Sequence, residues 1–484
     1  DGINFVNTNA RAINVKNSEN IVVQGCNFEN ISNNGVYFQS CEYSGVIYSN
    51  FKAVEAASNT KGAVIFYDNT SAENFEKLIP HRNFVQNCVF NAGGEVSVTG
   101  VGCIVSHNLF SNQPRNAVTL NYGAENIVEY NEFIAGPTVS EDCGVVYVNG
   151  GHKRNLGHHI RYNYIHNSKM NRSGHYTIYL DETASNNYVY GNISKDGSRI
   201  HMHGGSENVV CNNLFVGNNG IPFTLWTDSK PTYTTLPCIN DSLNFVNTSG
   251  ETDFDKMRMH VKRWYTNLEN VSEWFSYINS NAEKYDKTIY NARYPAFADF
   301  TEKLEQRISE YAQKKNIISD YVAEYSDGTS VELNRYLAMP RDNFYVNNVF
   351  VDSECGIFAQ GEHQPASNMK NNIYFDKNAA FANGDFSEQS VIKNTNPDYE
   401  NIPFDKIGVC RNIKTDGNVI KTVYPYNNAV IDKESGYFMW SKTLTGSNYK
   451  LEIATDNEFE NIVSKIVTYK NSVSAGEITL DNNM

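Results

Sequence analysis

The chain has 484 residues, of which 40% are hydrophobic, 13% aromatic and 19% charged. This excludes a disordered chain, which would be charge-rich and aromatic-poor, and no run approaches the ~20 apolar residues of a membrane span. The 40 Lys and Arg against 54 Asp and Glu give a net charge of −14, which argues against a nucleic-acid backbone as partner. Asparagine, at about 67 residues, is far above ordinary globular usage and needs a structural cause.

The sequence opens at Asp1 with no signal segment before it, so we expect a piece of a longer product. From the N-terminus onward, a short pattern recurs in which Asn is followed by an apolar or aromatic residue. It appears at Asn27-Phe28, Asn50-Phe51, Asn108-Leu109-Phe110, Asn131-Glu132-Phe133, Asn163-Tyr164-Ile165, Asn192-Ile193 and Asn213-Leu214-Phe215. After a gap it returns at Asn348-Val349-Phe350 and Asn372-Ile373-Tyr374. Several intervals are about 20–24 residues, the spacing of a solenoid repeat. Between these sites lie strand-length runs such as Val36-Tyr37-Phe38, Val145-Val146-Tyr147-Val148 and Thr177-Ile178-Tyr179-Leu180, bounded by turn residues. A coil of short strands with Asn at a bend describes a right-handed parallel β-helix, all-β in class. Asn explains itself there, because it tolerates left-handed backbone and its amide can hydrogen-bond from coil to coil.

Residues 1–412 are therefore expected to form the solenoid, with a helical insertion at about 251–325, where Met257, Val261, Trp264, Tyr265 and Leu268 follow helical spacing. Residues 413–484 alternate like sandwich strands around Trp440 and resemble part of a fibronectin type III module, cut off at Met484. The nine Cys are scattered, odd in number and without CxxC spacing, so we expect small buried hydrophobes and neither a metal nor a cofactor.

Counting back from successive Asn bends aligns Asn121, Asn149, Asp181, His203 and the region of Trp226 in one column, each coil lying ~4.8 Å above the last. With His175 and Glu182 nearby, this polar row flanked by an aromatic suits a glycan, whose hydroxyls meet amides, carboxylates and imidazoles. Two carboxylates on neighbouring coils, Asp142 and Asp181, suggest glycoside hydrolysis, which needs such a pair within ~5–9.5 Å. The register opposes it: Asp142 falls below Gly174, and a straight strand from there to Asp181 spans roughly 23 Å. A bend must close the gap, or Glu182 or Asp228 must serve instead.

The runs Asp142-x-Gly144-x-x-Tyr147, Ile160-Arg161-Tyr162-Asn163-Tyr164-Ile165-His166-Asn167 and Ile178-Tyr179-Leu180-Asp181-Glu182, with His203-Gly204-Gly205, resemble secreted β-helix proteins related to glycoside hydrolase family 141. That resemblance implies α-L-fucosidase- or xylanase-like cleavage of a plant or host glycan, with Asp142 and Asp181 as the catalytic pair. Asn121, Asn149, His175, Glu182, His203 and Trp226 would then bind substrate, with no metal. Secretion or bacterial cell-surface display, a monomer and an oligo- or polysaccharide partner follow as expectations. Two other classes stay open. A polysaccharide lyase on a uronate polymer would need a base and a cation, for which Lys153, Arg154, Arg161 and Arg172 are near in sequence. A glycan-binding surface protein without catalysis would need neither.

Overall fold

The computed structural model describes residues 1–54, 62–67 and 77–121 without a break, most of 123–217, and beyond them chiefly the strands between 223 and 478. The architecture is a parallel β-helix. Among the described residues three sheets of 11, 11 and 10 strands run along it, and in each sheet every strand pairs in parallel with its counterpart one coil on. The second sheet carries the functional argument. Its strands include Val118–Asn121, Cys143–Asn149, His175–Leu180, Ile200–His203 and Phe223–Trp226.

Alternation decides which side chains enter the core. In the first sheet Phe5, Phe28, Phe51, Phe90, Phe110 and Phe133 point inward and stack, with ring centroids 4.6–5.0 Å apart. In the second, Val118, Val146, Ile178 and Ile200 share a register line and are buried to 2% exposure or less. One coil cannot cover its own apolar edge, so each such residue is buried mainly by the coils above and below.

The asparagine excess finds its cause at the corners. Asn108, Asn131, Asn163, Asn192, Asn213, Asn348 and Asn372 form a buried file in which the Asn108 oxygen accepts the Cys88 N–H and each later side-chain oxygen accepts from the backbone and side-chain amides of the Asn one coil before. Each Nδ2 from Asn108 to Asn348 also donates to a backbone carbonyl, as Asn163 does to Val128 at 2.9 Å. The left-handed residue is not the ladder Asn, as expected from sequence, but the one before it: His107 (φ 55), Tyr130 (φ 53), Tyr162 (φ 54), Gly191 (φ 64) and Asn212 (φ 54). A second file runs through Asn126, His158, Asn187, Asn208 and Asn343. His158 substitutes for Asn by accepting the Asn126 N–H on Nδ1 at 3.2 Å. Burial drives its pKa down to about 3, so it serves as a neutral acceptor.

The expected insertion at about 251–325 lies almost wholly outside the described residues. Within it Thr288 and Ala292 are helical, and from its end onward Ile318–Ser319, Val322–Glu324 and Ser330–Glu332 make a small antiparallel sheet. The solenoid resumes in register, Val209 beside Phe344 and Leu214 beside Val349. Toward the C-terminus, antiparallel strands gather Trp440, Tyr449, Val473 and Ile478 into a cluster of their own. Among the described residues no helix is long and apolar enough to cross a membrane.

The buried ladder yields a stability test. Asn163→Ala removes the partner of the Asn131 backbone N–H and of the Val128 carbonyl in a dry interior. At ~1–3 kcal/mol for each stranded group, the loss should be on the order of 2–4 kcal/mol by denaturant unfolding. Asn50→Ala, which removes only an exposed amide pairing with Asn27 at 2.8 Å, should cost well under ~1 kcal/mol.

Candidate functional site

The outward face of the second sheet carries two neighbouring columns. Parallel pairing sets Thr119, Tyr147, Tyr179, His201 and Thr224 in one. Asn121 and Asn149 pair in the other, Asp181 follows immediately after Leu180, and His203 pairs with Trp226. The aligned row expected from the Asn bends is thus a continuous line of backbone positions. Asn149 donates to Asn121 at 2.9 Å, and Asn121 donates to Ser97 at 2.9 Å. Trp226 is placed by its strand alone. Glu182, Asp228, Lys153, Arg154 and Arg172 lie outside the described residues.

Asp181 is the centre of this face. It is 5% exposed, and both carboxylate oxygens are engaged: Tyr147 Oη donates to Oδ2 at 2.5 Å and His203 Nδ1 lies 2.9 Å from Oδ1. These donors come from the coil before and the coil after, so only stacked coils assemble the trio.

Asp142 also lies within the electrostatic field of Asp181. Cys143 pairs with His175, so Asp142 stands one position before the paired stretch. Its backbone is left-handed (φ 56), and Tyr179 Oη donates to its Oδ1 at 3.2 Å. Gly144 makes the close approach possible, because a Cβ there would meet Tyr179 Cβ at 2.9 Å. The two tyrosines therefore cross. Tyr147 reaches forward to Asp181, Tyr179 reaches back to Asp142, and their rings meet edge-on at 5.2 Å. Beneath them Tyr176 stacks on His201 at 4.2 Å, completing an aromatic floor.

The electrostatics separate the two acids. Asp142 keeps contact with solvent, yet the protein around it removes water and the charge of Asp181 repels its own, so its carboxyl is raised above the ordinary range. Tyr179 is held as a neutral phenol, first by desolvation and then by the two carboxylates. Positive charge arrives from residues that sequence reasoning missed: Arg115 acts on Asp142, and Arg199 acts on Tyr176. Both stand just ahead of second-sheet strands, a position that no local motif marks.

Other expectations fall elsewhere. His175 is buried at the start of its strand, 3% exposed. Arg161 is not near Asp181 but on the third sheet, in the strand His159–Arg161, ion-paired to Glu129 at 2.6 Å. His166 lies on the first sheet against Glu132 at 2.9 Å. Among the described residues no three His, Cys, Asp or Glu side chains converge to hold a metal ion.

No family model matches the chain, and neither does any curated protein. Solved structures resemble it at low identity. An alginate lyase of polysaccharide lyase family 6, solved with a trisaccharide, has 13% identity and a TM-score of 0.25 over 46% of this chain. This chain spans only 55% of that enzyme's length. A mannuronic acid-specific family 6 lyase from the human gut microbiota has 9% identity and a TM-score of 0.35, covering 80% of this chain and 78% of its own. The Dettilon tailspike protein has 14% identity and a TM-score of 0.18, over 47% and 48%. The enzymes among these are lyases, and the expectation of a glycoside hydrolase is corrected on that finding. The site gives a physical reason as well: Asp181, cast as half of a hydrolytic pair, has both oxygens occupied by a phenol and an imidazole.

The raised carboxyl makes a prediction about stability. An acid whose pKa is higher folded than unfolded favours the fold while protonated, and loses that advantage as pH climbs from the unfolded value of ~3.9 through the raised one. Asp142→Asn keeps an oxygen for Tyr179 and removes the charge. Its melting temperature should therefore exceed the parent's at pH 7, and the difference should vanish on acidification below ~pH 4.

Proposed function

We propose that the chain is a polysaccharide lyase that cleaves a uronate-containing polymer by β-elimination, with His203 as the base. The observation that supports this best is the 2.9 Å contact between His203 Nδ1 and Asp181. A carboxylate at that distance fixes the ring proton on Nδ1 and leaves Nε2 as the basic nitrogen. In the proposed reaction Nε2, which is shielded from solvent before substrate enters, is uncovered as the polymer binds and takes the proton from the sugar carbon next to the uronate carboxylate. The electron pair left behind forms the new carbon–carbon double bond as the bond to the glycosidic oxygen breaks. Asp142, raised in pKa and so more readily protonated than an ordinary aspartate, delivers a proton to that leaving oxygen.

Within this reading Asp181 orients rather than attacks. Tyr147 holds its second oxygen, which keeps the carboxylate from rotating away from His203. Arg115 offsets the charge that gathers on the uronate carboxylate as the adjacent proton leaves. Asn121 and Asn149 extend the row along the groove as hydroxyl partners for the neighbouring sugars. Polymers of this kind are too large to enter a cell intact, so the same reading has the protein working outside it.

The chemistry leaves a signature, because elimination produces an unsaturated uronate absorbing near the ultraviolet edge and hydrolysis does not. The parent should generate that absorbance on at least one member of a panel of uronate polymers that includes alginate. His203→Ala should cut the rate by at least ~10²-fold, the low end for a general acid–base contribution. Asp181→Asn should do likewise while the protein stays folded. Release of reducing ends without new absorbance, or binding of the polymers without turnover, would sink the proposal.

A further inference from the structure

We infer that Arg161 anchors a second saccharide site, on the third sheet and apart from the Asp181 face, which takes the anionic substituent of an acidic sugar. On the outward side of that sheet Ser106, Glu129, Arg161, Tyr190 and Cys211 share one register line, with Ile127, His159, Tyr188 and Val209 in the next. Glu129, Arg161 and Tyr190 occupy three successive coils. The guanidinium spends Nε on Glu129 Oε2 at 2.6 Å and one Nη1 hydrogen on Tyr190 Oη at 2.6 Å. Both partners hold it in one orientation, and the Glu129 side chain is only 1% exposed.

Two hydrogen bonds use two of five donors. The end of the guanidinium, Nη2 with the second Nη1 hydrogen, meets no acceptor among the described residues. That end forms a fork of the shape that receives a carboxylate or sulfate side-on, and the Arg161 side chain keeps 21% of its surface open to bring one in. A guanidinium so far withdrawn from water and only part-satisfied is costly to maintain unless something completes it.

The surroundings suit a sugar. Tyr162 and Tyr190 lie 5.9 and 5.8 Å from the guanidinium carbon, and His159 stacks on Tyr188 at 4.9 Å. These half-buried rings offer flat apolar faces beside an anion-binding fork, matching a uronate, which is apolar on its ring face and charged at one edge. The competing role for the trio is a staple that only ties coils together.

Binding separates the two, and because it is read without turnover, failure of the lyase chemistry leaves the result interpretable. Uronate, sulfated and neutral trisaccharides are titrated by calorimetry into the full chain and into Arg161→Lys and Tyr190→Phe. Lysine keeps a charge beside Glu129, so the fold should survive, but it lacks the planar fork. We expect Arg161→Lys to weaken binding of the uronate trisaccharide at this site at least ~10-fold, the worth of a charge-assisted hydrogen bond, without altering turnover of uronate polymers. Tyr190→Phe, which only frees the guanidinium to swing, should weaken it a few-fold. Preference for the sulfated sugar keeps the site and assigns it a sulfate. Equal uronate binding by all three proteins, with only the melting temperature lowered, overturns the proposal and leaves a staple.

Discussion

Everything in this molecule depends on a coil being able to satisfy its polar corners only through the next coil. A turn inside a dry core strands backbone N–H and C=O groups, and each stranded group costs ~1–3 kcal/mol. The Asn108-to-Asn372 file answers this with one residue type. Its oxygen takes the amides of the coil below and its nitrogen a carbonyl of the core. Such a file pins register, because a slip by one residue puts an apolar side chain where the amide must be and turns the stacked phenylalanines outward.

Pinned register makes the candidate site possible. Asp181 receives one partner from the coil before and one from the coil after, so the trio exists only where three coils are held at fixed height and phase. The crossing of Tyr147 and Tyr179 is equally a product of stacking. It needs a glycine at 144 to let two strands approach, and through Tyr179 it holds a second carboxyl, that of Asp142. Rigidity here comes from the scaffold, while the charges it gathers, two carboxylates within each other's field, are what a scaffold selected for stability alone would avoid.

How far the sequence reveals this follows from what repeats. The coil spacing, the inward phenylalanines and the row from Asn121 to His203 are legible because each recurs at a fixed distance from an Asn bend. Non-repeating geometry is not. The contact between Asp142 and Tyr179 depends on the close approach of two strands at Gly144, and Tyr147 gives no sign of reaching Asp181 because its partner lies 34 residues away. Arg161 shows the opposite error. Nearness in sequence to Asp181 suggested nearness in space, but a coil has three faces, and Arg161 falls on another of them. The hydrolase expectation failed for a related reason, since it weighed two carboxylates without the donors that other coils aim at one of them.

The file of amides also sets an order of events in time. Most neighbouring coils meet across about two dozen residues, as Asn108 and Asn131 do across 23, whereas Asn208 must find Asn343 across 135. Closing the longer loop costs about 1.5 kcal/mol more in chain entropy, before any contact within the intervening segment is counted. The coils up to Cys211 can zip together one after another, each templating the next, while those from Phe344 onward wait for a rarer encounter. A growing chain leaving the ribosome would thus present a finished N-terminal edge, Val209 and Leu214 exposed and unpaired, for as long as it takes to make the residues that close it.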